Sequence, residues 1–183
     1  MVNLVSLYYF MIPALAVAAL LQSTTANRLA IVGVKPDLVL LIVLIGTLVY
    51  GLRPGLVWAF IGGLFLDIFS GGPMGSSSLA LMAATLVAGL GHRTLSRYNL
   101  MVPVGVVIAG TLVYSLVYIG ILYGLDALSN LTGLIAFRHP VPIWATFQYV
   151  IAPSMLYNAI LMLFFTPLLN RIPESQESIA TTL

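Results

Sequence analysis

The chain has 183 residues, of which 61% are hydrophobic and 7% charged, and its mean hydropathy is +1.10. Soluble domains carry about 25% charged residues. Seven basic and five acidic side chains cannot cover a water-facing surface, which excludes a soluble enzyme, a disordered chain and a nucleic-acid binder. A bilayer crossing needs about 20 apolar residues, so the length suits one unit of six crossings with short loops. The absence of cysteine removes disulfides and thiolate metal sites without fixing the compartment.

The first apolar run is Leu4–Leu21, closed by Gln22-Ser23-Thr24-Thr25. Met1-Val2-Asn3 offers no positive segment ahead of it, so the run reads as a retained transmembrane helix, bent at Pro13, and not as a cleaved signal. Pro36-Asp37 opens the second run, with the Asp37 carboxylate at a helix N-terminus, where negative charge is favoured. Gly51-Leu52-Arg53-Pro54 reads as a tight turn before the third run, which ends at Phe69 in Ser70-Gly71-Gly72-Pro73-Met74-Gly75. Ser76, Ser77 and Ser78 offer hydroxyl caps to the fourth run. The loop with His92, Arg93 and Arg97 leads to the fifth, Met101–Leu125, and the sixth is Ile143–Leu169 with Pro153 inside.

Backbone polar groups in hydrocarbon need internal partners, and long runs without period-two alternation form helices, not a barrel. The expected fold is therefore an all-α polytopic membrane domain over residues 1–171, with spans at about 4–24, 37–51, 54–69, 76–91, 101–125 and 143–169. A polar, disordered tail follows at 172–183. Arg53, Arg93, Arg97 and Arg171 fall on the side of the termini, against Arg28, Lys35 and Arg138 on the other. That balance puts both termini in the cytoplasm. The loop Asp126–Pro142 then lies outside, and its stretch Leu131–Phe137 is apolar enough to rest on the bilayer surface or a partner. His92 and His139 fall in loops on opposite sides and cannot share a metal.

Helices associate in lipid where small residues let backbones approach. The third helix carries Gly55, Ala59, Gly63, Asp67 and Gly71 at spacings of four; the fourth carries Ser76, Ala80, Ala84 and Ala88; the first has Ala14 and Ala18, the fifth Gly105 and Ala109. Such ridges serve either internal packing or a partner's helix. Asp67 is the sole acid within an apolar run. Near a helix C-terminus it requires donors, and the amides of Gly71, Gly72 and Gly75 and the hydroxyls of Ser70, Ser76, Ser77 and Ser78 are at hand. It either staples that loop or acts as a proton or ligand site. On the sixth helix, Ser154 and Asn158, with Gln148, Tyr149 and Tyr157 nearby, serve hydrogen bonding between helices or line a small cavity. There is no zinc-protease signature, phosphate loop or nucleophile elbow. No catalytic residue, cofactor or metal site is expected.

The stretches Pro36-Asp37-Leu38-Val39-Leu40-Leu41 and Gly63-Leu64-Phe65-Leu66-Asp67-Ile68-Phe69-Ser70-Gly71-Gly72-Pro73-Met74-Gly75 resemble the bacterial rod shape-determining protein MreD family. The resemblance implies a noncatalytic inner-membrane scaffold of the elongasome that helps control cell shape and lateral peptidoglycan synthesis. Its implied direct partner is MreC, within a larger complex with MreB, RodA and its transpeptidase. Membrane lipid and a second copy are further candidate contacts, and nucleic acid is not. The fold is expected to be similar to the substrate-binding subunit of energy-coupling-factor transporters. A groove for MreC is expected along Gly55, Ala59, Gly63, Asp67, Gly71, Pro73 and Gly75, with Ser76, Ala80, Ala84 and Ala88 packing helices together. The alternative is such a vitamin-binding subunit itself, docking through Ala14 and Ala18.

Overall fold

The computed structural model describes residues 4–24, 36–92, 101–132 and 142–169. Its elements are α1 (Leu4–Thr24), α2 (Leu38–Tyr50), α3 (Leu52–Ser70), α4 (Ser76–His92), α5 (Met101–Thr132), α6 (Ile143–Thr146), a π-helical turn (Phe147–Ile151) and α7 (Ala152–Leu169). No strand occurs among the described residues. Three helical stretches are long and apolar enough to cross a membrane, Leu52–Ser70, Met101–Ser129 and Trp144–Thr166; Tyr8–Thr24, Leu38–Tyr50 and Ser76–Gly91 are shorter apolar helices.

Several boundaries differ from the sequence expectation. Gly51, with φ of 90°, makes the whole break between α2 and α3. Leu52, Arg53 and Pro54 are therefore the first turn of α3 and not a loop, since proline is tolerated where its missing N–H has no intrahelical partner. The fifth helix runs to Thr132, beyond the expected end at Leu125. Asp126 is no helix stop, because one charged residue near a helix end costs little outside the hydrocarbon. Of the expected surface stretch Leu131–Phe137, only the first two residues are described, and they are helical. His92 closes α4 instead of lying in a loop, while His139, Arg93 and Arg97 and the tail 172–183 lie outside the described residues.

The last span bends as proline requires. Pro153 has no N–H to give the Tyr149 carbonyl, and its ring crowds that carbonyl. The backbone widens there into the π turn, in which the Ala152 N–H bonds the Phe147 oxygen five residues back. Pro13 of α1, by contrast, sits within a helix that continues on both sides of it.

The helices are arranged around α2. Among the described residues α2 touches α1, α3, α4, α5 and α7, and these five touch one another only in the order α1, α3, α4, α5, α7. Glycines set the close approaches. A Cβ on Gly46 of α2 would stand 2.7 Å from Trp58 of α3, and one on Gly110 of α5 would stand 2.7 Å from Leu44 of α2. Leu40, Leu41, Val43, Leu44, Leu48, Trp58, Leu81 and Met162 fill the centre. Tyr50 and Trp58 meet edge to face at 5.8 Å at one end of the bundle.

Candidate functional site

Two carboxylates lie at the end of the bundle away from Tyr50, and they do different work. Asp67 is 2% exposed, near the C-terminus of α3. Its Oδ2 accepts the Gly75 N–H at 2.7 Å, and its Oδ1 accepts the Ser77 N–H at 3.1 Å. Those amides belong to the start of α4, so the acid of one helix caps the next, and the dipole of α4 supplies the positive end that α3 could not. The serine caps expected from the sequence are therefore replaced. Ser76 Oγ donates to the Pro73 carbonyl at 2.6 Å and only weakly to Asp67 at 3.3 Å, and Ser78 Oγ donates to the Phe60 carbonyl of α3 at 3.0 Å. Gly71, at φ 69° in the left-handed region, ends α3 by giving its N–H to the Asp67 carbonyl.

The small-residue ridge that leads to Asp67 is occupied within the chain. A Cβ on Gly55 would run into Thr47 of α2, and one on Gly63 into the backbone of Ser78 on α4. Ala59 is fully buried, as are Ala80, Ala84 and Ala88 of α4, with Ser76 nearly so. Of the seven residues expected to form a groove, Gly55, Ala59, Gly63 and Asp67 face neighbouring helices of the same chain. Gly71, Pro73 and Gly75 form the partly exposed turn beyond them. Ala14 is half-buried and Ala18 buried in α1.

The second carboxylate holds more distant partners. Asp37 precedes α2, and its Oδ1 accepts Gln22 Nε2 of α1 at 3.2 Å while its Oδ2 accepts Asn158 Nδ2 of α7 at 3.3 Å. Asn158 Oδ1 accepts the Asp37 N–H at 3.1 Å, and Gln22 Oε1 accepts the Val39 N–H at 3.2 Å. Asn158 Nδ2 also reaches Thr111 Oγ1 of α5 at 3.2 Å. Thus α1, α5 and α7 all converge on the N-terminus of α2, and its first amides find side-chain acceptors. The sequence groups Asn158 with Ser154, Gln148, Tyr149 and Tyr157. Gln148 and Tyr149 are exposed, Tyr157 is partly covered and Ser154 is buried.

One surface has no expectation behind it. The ring around α2 has no contact between α7 and α1 among the described residues. Within α2, Leu38, Ile42, Ile45 and Val49 are incompletely covered, while the residues between them are buried. At about 100° per residue these four fall on one narrow stripe. Gly46, which faces Met11 of α1 and Trp58 of α3, lies to one side of it, and Leu44, which faces Gly110 of α5, lies to the other. The stripe therefore looks out through the opening between α1 and α7. Its spacing of four, three and four residues is that of a helix–helix seam.

On α5, Gly105, Gly120 and Gly124 have no atom within 4 Å of where a Cβ would stand. Gly105 is thus not what packs α5 into the bundle, whereas Gly110 meets Leu44 of α2 and Ala109 is partly buried. Among the buried side-chain polar atoms described, only Trp58 Nε1 has no hydrogen-bond partner. No group of three metal-ligating side chains occurs among the described residues.

Comparison with known proteins returns one match. No curated protein and no solved structure matches the chain. The profile of the family described as rod shape-determining protein MreD matches residues 5–172, which includes both carboxylates, the α3–α4 turn and the whole ring around α2. The chain belongs to the MreD family of rod shape-determining membrane proteins.

Proposed function

We propose that this protein is a noncatalytic scaffold that crosses the inner membrane six times, with both termini in the cytoplasm, and receives the single transmembrane helix of MreC in the opening between α1 and α7. Through that contact it holds MreC beside MreB, RodA and its transpeptidase and so helps to control lateral peptidoglycan synthesis. The observation that carries this reading is the open ring. Helices pack at about 8–10 Å between axes, so a central helix has room for about six neighbours of its own width, and among the described residues α2 has five. The partly covered apolar stripe Leu38, Ile42, Ile45 and Val49 faces the side of α2 that none of these five occupies. Family membership supports the role in cell shape.

The groove expected on α3 is less suited to a partner, because α2 and α4 already fill it. Only its exposed end, the turn through Gly71, Pro73 and Gly75, remains as a rim contact. The vitamin-binding alternative gains no support from the interior. The carboxylates and amides there bond one another instead of pointing a set of polar groups at one small molecule, as ligand sites do.

The test is co-purification of MreC with the Ile42→Trp and Ile45→Trp variants, at matched membrane levels. Filling the opening with indole is expected to reduce recovered MreC at least about tenfold, equivalent to about 1.4 kcal/mol. Undiminished recovery with both variants would remove the opening as the binding site.

A further inference from the structure

We infer that Gln22, Asp37 and Asn158 form a releasable strap across the Asp37 end of the α1–α7 opening, which sets the width of the slot. The inference concerns regulation of the site assigned above and rests on that reading for its use, but not for its geometry.

Among the described residues, the strap is the one place where hydrogen bonds bridge α1 and α7. Gln22 comes from α1 and Asn158 from α7, and each bonds one oxygen of Asp37. No direct contact between α1 and α7 exists among the described residues. Asn158 is fully buried, and its amide is saturated by Asp37 and Thr111.

Two features make the strap releasable rather than merely structural. First, α7 lies along α5 and meets α2 over a much smaller surface, so seating α7 against α2 rests on the Asp37–Asn158 bonds and on the buried Met162. Hydrogen bonds between membrane helices are individually weak, because the opened state finds other partners. Second, the π turn at Phe147–Ile151 breaks the regular ladder just ahead of Pro153. The segment from Trp144 to Val150, exposed along most of its length, lies on the far side of that turn from Asn158. When Asn158 lets go of Asp37, α7 tilts away from α2 while keeping its contact with α5, and the slot opens toward lipid.

The strap is tested on the full chain in lipid nanodiscs without any partner. Spin labels are placed at Leu21→Cys and Leu156→Cys, both exposed beside the strap, with a control pair at Val57→Cys and Leu86→Cys on α3 and α4. Adding Asn158→Leu is expected to lengthen and broaden the 21–156 distance distribution and leave the 57–86 distribution unchanged. The exchange Asp37→Asn with Asn158→Asp keeps a carboxylate facing an amide and is expected to restore the original 21–156 distance. An unchanged 21–156 distance in Asn158→Leu overturns the strap. So does a change in both label pairs, which would mean general loosening, or failure of the exchange to restore the distance. Because MreC is absent from this measurement, failure of the strap and failure of the docking site are read separately.

Discussion

Asp67 and Asp37 are both drawn into an apolar bundle, yet they connect parts of the chain at very different separations. Asp67 bonds residues eight to ten positions away, across one turn. Asp37 reaches back 15 residues to Gln22 and forward 121 to Asn158. The first is a local staple that fixes how α3 turns into α4, and it forms as soon as that hairpin does. The second closes only when α1, α2, α5 and α7 have assembled, so it reports on tertiary arrangement. A buried carboxylate near a helix end can thus be either a fastener of neighbours in sequence or a joint between distant elements. Only the second kind is placed to control an opening.

The comparison is broken most strongly on the stapled side. Gly63→Leu drives a side chain into the backbone of Ser78, and the α3–α4 pair cannot close around it. The expected loss is about 3 kcal/mol, read as the unfolding midpoint in detergent. Asp67→Ala comes next. It strips acceptors from the Gly75 and Ser77 amides, and as both lie at a partly solvent-exposed turn the expected loss is about 2 kcal/mol in total. Asp67→Asn keeps one acceptor oxygen and is expected to cost about half as much, a difference that separates capping from any requirement for charge.

The strap side is expected to be gentler to stability and sharper for function. Asn158→Leu removes hydrogen bonds that average about 0.6 kcal/mol each between membrane helices, so unfolding should shift by about 1–2 kcal/mol while the spacing of α1 and α7 changes. The smallest effect is expected at Gly120→Leu. Nothing lies within 4 Å of that position, so thermal stability should move by less than about 0.5 kcal/mol, and MreC recovery should stay at the parental level. A loss of MreC there would shift the partner from α2 to α5.

Much of the architecture was legible in the sequence because lipid restricts the options. Continuous apolar runs between Gly, Pro and Ser breaks located the helices, whereas small residues at spacings of four left open whether a ridge packs within the chain or against a partner, and the Gly63 approach to Ser78 is visible only in the fold. The need of Asp67 for donors followed from its position near a helix C-terminus, and the Gly75 amide and Ser76 hydroxyl were among those at hand, while the Ser77 amide was not foreseen. Ser76 to Ser78 read as caps from composition, and only the crossing of α3 on α4 shows the carboxylate taking that role. The end of α5 was misplaced because Asp126 looked like a boundary, when helix continuation depends on what surrounds it. The α2 stripe was hidden for a different reason. Every residue from Leu38 to Leu41 is apolar, so a helix buried on nearly all sides carries no pattern that separates the open face from the covered ones. The pairing of Asp37 with Asn158 was equally out of reach, since nothing local links positions 121 apart.

The native chain has no cysteine, so single introduced thiols report without background. The most direct test of the account is disulfide crosslinking in intact membranes between a cysteine scanned along the transmembrane helix of MreC and single cysteines at Ile42, Ile45, Gly63 and Gly120. The account predicts crosslinks at 42 and 45 with a helical period along the MreC helix, and none at 63 or 120. Crosslinks confined to 63 or 120, with 42 and 45 silent, would contradict it.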